Sequence, residues 1–464
     1  MVFSSLTFLF GFLPLTLAVY FLTPLKWRNL TLLIVSLLFY GWGEPVYILI
    51  MFASIAIDYV HGLLVEKHRH DDKKARWFVV QSVIFNLLLL GFFKYWDFFA
   101  VNLSLIPGVN LPVLGLGLPI GISFFTFQTM SYTIDVYRQD APAQRNIVTF
   151  GTFVTMFPQL IAGPIVKYKT VAAELDHREH TTENFALGAR RFCVGLAKKV
   201  LLANSIGSLW DSALAAQSAG TLTVLGGWLG LIAFTFQIYF DFSGYSDMAI
   251  GLGRIFGFTF DENFNYPYLA ASVSDFWRRW HISLTSWFRE YLYIPLGGNR
   301  GGVGKTLRNI FIVWLCTGFW HGASWNYLLW GLYFAVLLVL EKYVLSNVLK
   351  KLPRMVKHLY TLFAVVVGWG LFAMEDLRQC GSYLATCFGG GNGWSGSDFY
   401  TLKSYGVLLV ILVVASTTLG KSLWQRLPER PQKIAAPVLM ALALVVCTAY
   451  LVDGSYNPFL YFRF

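Results

Sequence analysis

Long, near-continuous apolar runs constrain this chain more than any other feature. They include Ile48–Ile57, Val79–Phe93, Leu225–Phe240 and Leu328–Leu340. Several extend to about 20 residues with their flanks, the length that crosses the hydrocarbon core of a bilayer. Lipid offers no hydrogen bonds, so closely spaced spans must satisfy their backbones internally, as helices. The runs therefore predict an all-α polytopic membrane protein. Charge agrees: 13% of the 464 residues are charged, against roughly 25% in a soluble protein.

Basic loops set the expected topology. Lys26 and Arg28 follow a first span that begins in the apolar Met1–Tyr20, which lacks the basic lead and cleavage site of a signal peptide. The turn Gly41–Pro45 carries no Lys or Arg, whereas Glu66–Arg76 carries five. Basic loops stay cytoplasmic, so the N-terminus is expected outside. Thr149–Pro164 is short, lies between Arg145 and Lys167 and ends in Ala-Gly-Pro, so it reads as re-entrant rather than spanning. About 11–12 spans are expected in all, in one integral domain over 1–464. Its parts are the N-terminal spans (1–240), a core region with most of the polar chemistry (241–345), and C-terminal spans with an aromatic tail (346–464). Parity then puts the C-terminal tail outside.

The net charge is +11. In a multi-span protein that excess belongs in loops beside anionic lipid. No basic patch forms a recognisable nucleic-acid module. The 16 Trp, 24 Tyr and 41 Phe suit interface belts and packed helices. Of the five cysteines, Cys193, Cys316 and Cys447 fall in apolar stretches, while Cys380 and Cys387 lie in a loop expected outside, spaced closely enough to pair. No Cys/His spacing reads as a metal site. Gly251-Leu-Gly253 and Gly301–Thr306 lack the spacing and the preceding strand of a nucleotide loop.

Within this apolar background a few polar groups stand out. His321 lies in Thr317–Trp325, between Gly318 and Gly322 and beside Trp320 and Trp325. An ionisable side chain inside a membrane segment points to function, and a neutral imidazole there suits a general base. His281 lies in Ser274–Leu284. Trp277, His281, Leu284 and Phe288 share a face at helical spacing, so this stretch predicts an amphipathic helix near the cytoplasmic surface. Arg278 and Arg279 there, with Arg289, suit donor phosphates or lipid headgroups. A third cluster, Gln237–Asp247, brings Asp241, Ser243, Tyr245 and Asp247 to the end of a span, where they line a pocket or pin helices. The tail Tyr456–Phe464 is rich in aromatics, as an interfacial anchor would be.

Taken together, these blocks resemble the membrane-bound O-acyltransferase (MBOAT) family, in its bacterial alginate O-acetyltransferase branch. The resemblance is carried by Leu118–Phe127, Ile134–Arg138, Gln159–Pro164, Tyr239–Gly251, Phe276–Leu284, Tyr293–Arg300 and Trp320-His-Gly322. It implies an MBOAT-like helical bundle with re-entrant and interfacial helices, in a bacterial inner membrane. It implies acyl transfer, with His321 as the central catalytic histidine and His281 as the second. Trp277, Arg278, Arg279, Asp241, Ser243, Tyr245, Asp247, Trp320 and Asn299 are then expected to serve donor binding or the tunnel. No bound cofactor is implied: acetyl-CoA is the donor substrate, and the acceptor is an external polysaccharide reached through an SGNH-type partner. The related D-alanyl transferases usually read Trp-Asn-Arg-Trp-His where this chain has Trp277-Arg-Arg-Trp-His281, which favours acetyl over D-alanine. By the same resemblance, Tyr461 in the tail is expected to accept the acyl group. A transporter or an export-complex scaffold would use similar spans without needing His321.

Overall fold

The computed structural model describes residues 1–454 and Leu460. Every regular element among them is helical. Eight helices are long and apolar enough to cross a membrane, from Ile48–Lys67 to Glu429–Asp453, and Phe8–Leu22 is a shorter apolar segment. Three further helices are Arg28–Gly41, Ile122–Arg138 and Gly302–His321.

The chain divides into two compact units. One holds Met1–Phe192 and Tyr245–Asp261, the other Cys193–Gly244 and Glu262–Phe464. In the first, Ile48–Lys67, Asp72–Leu90 and Ile122–Arg138 pack together. A polar network joins them. Asp58 is fully buried, and its carboxylate accepts from Ser82 Oγ at 2.6 Å and Asn86 Nδ2 at 2.8 Å. A carboxylate inside such a bundle persists only where neighbours supply its hydrogen bonds. The expected re-entrant stretch breaks into Ile147–Thr155 and Phe157–Leu160 around Met156. Nine and four residues are too short to span, and the stretch is buried in protein throughout.

In the second unit, Gly302–His321 packs against Trp325–Val339, which also meets Arg354–Ala373. Two glycines permit the first contact. A Cβ on Gly318 would strike the Tyr327 carbonyl, and one on Gly331 would strike the Trp314 carbonyl. Small residues at a crossing let membrane helices approach backbone to backbone. His321 is therefore the last residue of a helix held rigidly by its neighbour.

The cysteines do not pair. All five are free, and Cys380 and Cys387 are buried separately, on the helix Leu377–Ala385 and in the turn after it. Helix packing, rather than an exposed loop, surrounds both.

Candidate active site

The stretch expected to be one amphipathic helix is two. Val273–Arg279 ends at Trp280, and Ile282–Phe288 begins after His281, whose backbone is left-handed at φ +44°. A non-glycine residue there is uncommon, and such strain persists where surrounding structure enforces it. Ser272 caps the first helix, its hydroxyl accepting from Asp275 N at 3.0 Å. The break turns His281 inward, and it is 1% exposed rather than interfacial.

Three contacts fix how the His281 ring is used. Asn263 Oδ1 accepts from Ser283 N at 3.1 Å and Ser283 Oγ at 2.9 Å, and lies 3.2 Å from His281 Nδ1. A backbone N–H can only donate, so the amide oxygen must face it. His281 Nδ1 must then carry the proton that bridges to that oxygen. Burial pushes this imidazole down to about 3, so the ring is neutral at pH 7 and Nε2 keeps its lone pair. Nε2 is buried without a hydrogen-bond partner among the described residues, which leaves it for a substrate N–H or O–H.

His281 and His321 line one cavity of about 200 Å³. Trp277, Leu284 and Phe288 of the predicted face line it too, with Arg289, Trp314 and Thr317. The break at His281 does not scatter that face, because both short helices present it to the same hollow. The rings of Trp320, Trp330 and Phe372 stand nearly edge-on to His321 at centroid distances of 5.0–5.1 Å. Trp320 also meets His281 at 6.0 Å. These walls keep the imidazoles among aromatic rings, and any positive charge developing on His321 faces the carbonyl end of its own helix.

Other expected site residues lie elsewhere. The Arg278 side chain is 73% exposed and 4.0 Å from Asp275, and Arg279 also pairs with Asp275, at 3.1 Å. Arg289 is the arginine at the cavity. Asp241 and Asp247 do not form one knot. Asp241 pairs with buried Lys199 at 2.7 Å in the second unit, and Asp247 pairs with Arg191 at 2.6 Å in the first. Ser243 is buried, and Tyr245 stacks on Phe3 at 4.5 Å. Asn299 Oδ1 accepts from Tyr293 Oη at 2.6 Å and Lys342 Nζ at 2.8 Å. Tyr461 lies outside the described residues. Its neighbour Leu460 is buried, and the Leu460 N–H donates to Asp241 Oδ2 at 3.0 Å.

Asn263, Lys199 and Arg191 went unread because nothing in sequence spacing marks a partner that only folding brings near. Asn263→Ala should lower turnover roughly tenfold, the effect of losing one buried hydrogen bond that orients a ring. Asn263→Asp, which keeps the acceptor, should recover part of it. Turnover measured beside the unfolding midpoint checks this.

Comparison with known proteins bears on what this cavity does. The family model "MBOAT, membrane-bound O-acyltransferase family" matches residues 125–383. A probable alginate O-acetylase of Pseudomonas aeruginosa is 41% identical over 444 residues, covering 94% of this chain and 84% of that protein. A peptidoglycan O-acetyltransferase of Helicobacter pylori is 36% identical over 415 residues, 82% and 78% of the two chains. A teichoic acid D-alanyltransferase of Bacillus subtilis is 28% identical over 274 residues, 55% and 66%. With the match spanning both histidines and the helices that carry them, the chain belongs to the membrane-bound O-acyltransferase family and is a multi-pass membrane acyltransferase.

Proposed function

We propose that this enzyme takes acetyl from cytoplasmic acetyl-CoA and delivers it across the membrane for O-acetylation of an extracytoplasmic polysaccharide, an alginate-like exopolysaccharide or peptidoglycan. The observation that carries this reading is the single cavity shared by His281 and His321, in a chain so similar to an alginate O-acetylase. His321 acts as general base on the accepting hydroxyl. The oxygen attacks the thioester carbonyl, the C–S bond breaks, and the thiolate leaves as CoA and takes up a proton. His281, held neutral by burial and oriented by Asn263, positions a substrate N–H or O–H through Nε2.

The accepting hydroxyl in this scheme is that of Tyr461, which passes acetyl to an SGNH-type partner outside. The residue before it, Leu460, is tethered at Asp241 in the second unit. A phenol activated by a neighbouring base is a competent nucleophile.

The test is donor choice. Purified enzyme in nanodiscs, given acetyl-CoA and the external partner, should release free CoA. Silence with acetyl-CoA, together with transfer from an acylated carrier protein, would overturn the acetyl-CoA reading.

A further inference from the structure

A second cavity, of about 560 Å³, lies in the same unit and shares Ile310 with the histidine cavity. Lys342, Lys350 and Lys357 line it, with Ser272, Ser274 and Glu341. Among the described residues Glu341 makes no ion pair with these lysines, and its carboxylate is hydrogen-bonded elsewhere. It accepts from Val273 N at 2.7 Å and from Ser274 N and Oγ at 3.0 Å each, at the start of the helix that leads to His281. Lys342 also reaches Asn299 at 2.8 Å, and Asn299 in turn accepts from Tyr293 Oη of the histidine cavity at 2.6 Å. Lys351 and Arg354 add charge in the same loop, and a loop this basic belongs on the cytoplasmic side.

We propose that this lysine cavity seats the phosphates of the donor, the pyrophosphate and 3′-phosphate of CoA. The proposal rests on the acetyl-CoA reading above. Multiple ammonium groups around a concavity are suited to clustered phosphate oxygens. The geometry also suits a two-part ligand. The helix Val273–Arg279 begins at the lysine cavity, with Ser274, and carries Trp277 at the histidine cavity. At 1.5 Å per residue Ser274 and Trp277 lie roughly 4.5 Å apart along the axis of that helix, so the two hollows are within reach of one pantetheine arm, which separates thioester from pyrophosphate. A lipid phosphate is the other source of the same chemistry, but a headgroup gains nothing from a second hollow that holds two histidines.

The experiment uses full-length enzyme with Lys350→Ala/Lys357→Ala, leaving Lys342 to hold Asn299. CoA binding is measured by calorimetry in nanodiscs of neutral phosphatidylcholine or anionic phosphatidylglycerol. Turnover is followed with acetyl-CoA and with S-acetylpantetheine, which lacks every phosphate. Expected is a loss of at least roughly tenfold in CoA affinity and in kcat/KM for acetyl-CoA, in either lipid, the effect of removing charge-assisted hydrogen bonds. Turnover of S-acetylpantetheine should be unchanged. Unaltered CoA affinity overturns the proposal, as does an equal loss with S-acetylpantetheine, or a loss of bound phosphatidylglycerol alone. Wild-type enzyme that binds CoA through these lysines but releases no acetyl would instead overturn the transfer reading and leave the phosphate seat standing.

Discussion

Replacing His321 with alanine should lower acyl transfer by about 10²–10⁴-fold, the range of a positioned general base, without unfolding the protein. The ring sits at the last position of Gly302–His321 and borders a hollow that already exists. Truncation enlarges that hollow rather than opening a new one in packed core. The contact that fixes the helix, at Gly318 and Gly331, is made by backbone atoms and does not use the side chain removed. Acyl transfer measured beside the unfolding midpoint separates the two effects. Turnover that survives the substitution would pass the base role to another group. A collapse of the midpoint would show that the ring is structural.

The second large effect concerns stability. Lys199 Nζ and Asp241 Oδ1 meet at 2.7 Å, with both side chains only 3% exposed. Lys199 also donates to Asn204 Oδ1 at 2.9 Å, and Asp241 accepts from the Leu460 N–H. The lysine lies in a π-helical turn, Lys198–Asn204, of an otherwise α-helical span, and such turns frequently mark functional positions. Lys199→Met leaves the Asp241 carboxylate buried without its cation, which should destabilise the protein by about 3–5 kcal/mol. Lys199→Met/Asp241→Asn removes both charges and should recover most of that loss, since a buried pair as a whole contributes little net stability. Denaturant titration of the three proteins in one detergent reads the cycle. A double variant as unstable as the single one would mean that packing, not the stranded charge, sets the effect.

These two predictions differ in how legible their residues were. His321 stands out in sequence because the bilayer makes an ionisable group in an apolar stretch expensive, and the spans follow from the same physics. The shared face of Trp277, His281, Leu284 and Phe288 was readable from helical spacing, and it does line the cavity. The left-handed break at His281 was not readable, because Trp280-His281 contains neither glycine nor proline to announce it. Side chains such as Lys199 and Asn263 acquire meaning only from partners brought near by folding. The arginines show the limit of counting charge. Arg278 and Arg279 face Asp275 near the surface, while Arg289, one helix later, reaches the cavity. Asp241 and Asp247 read as one cluster for a similar reason: six residues apart in sequence, each finds its own cation in its own unit.

The aromatic wall around the histidines has an optical consequence. Trp277 and Trp314 line the cavity, and Trp320 and Trp330 flank His321. Indole emission responds to the polarity and quenchers around the ring, so a ligand entering the hollow alters the light these four residues emit. The enzyme thus carries an intrinsic, label-free reporter of occupancy at the place where its chemistry is proposed to occur.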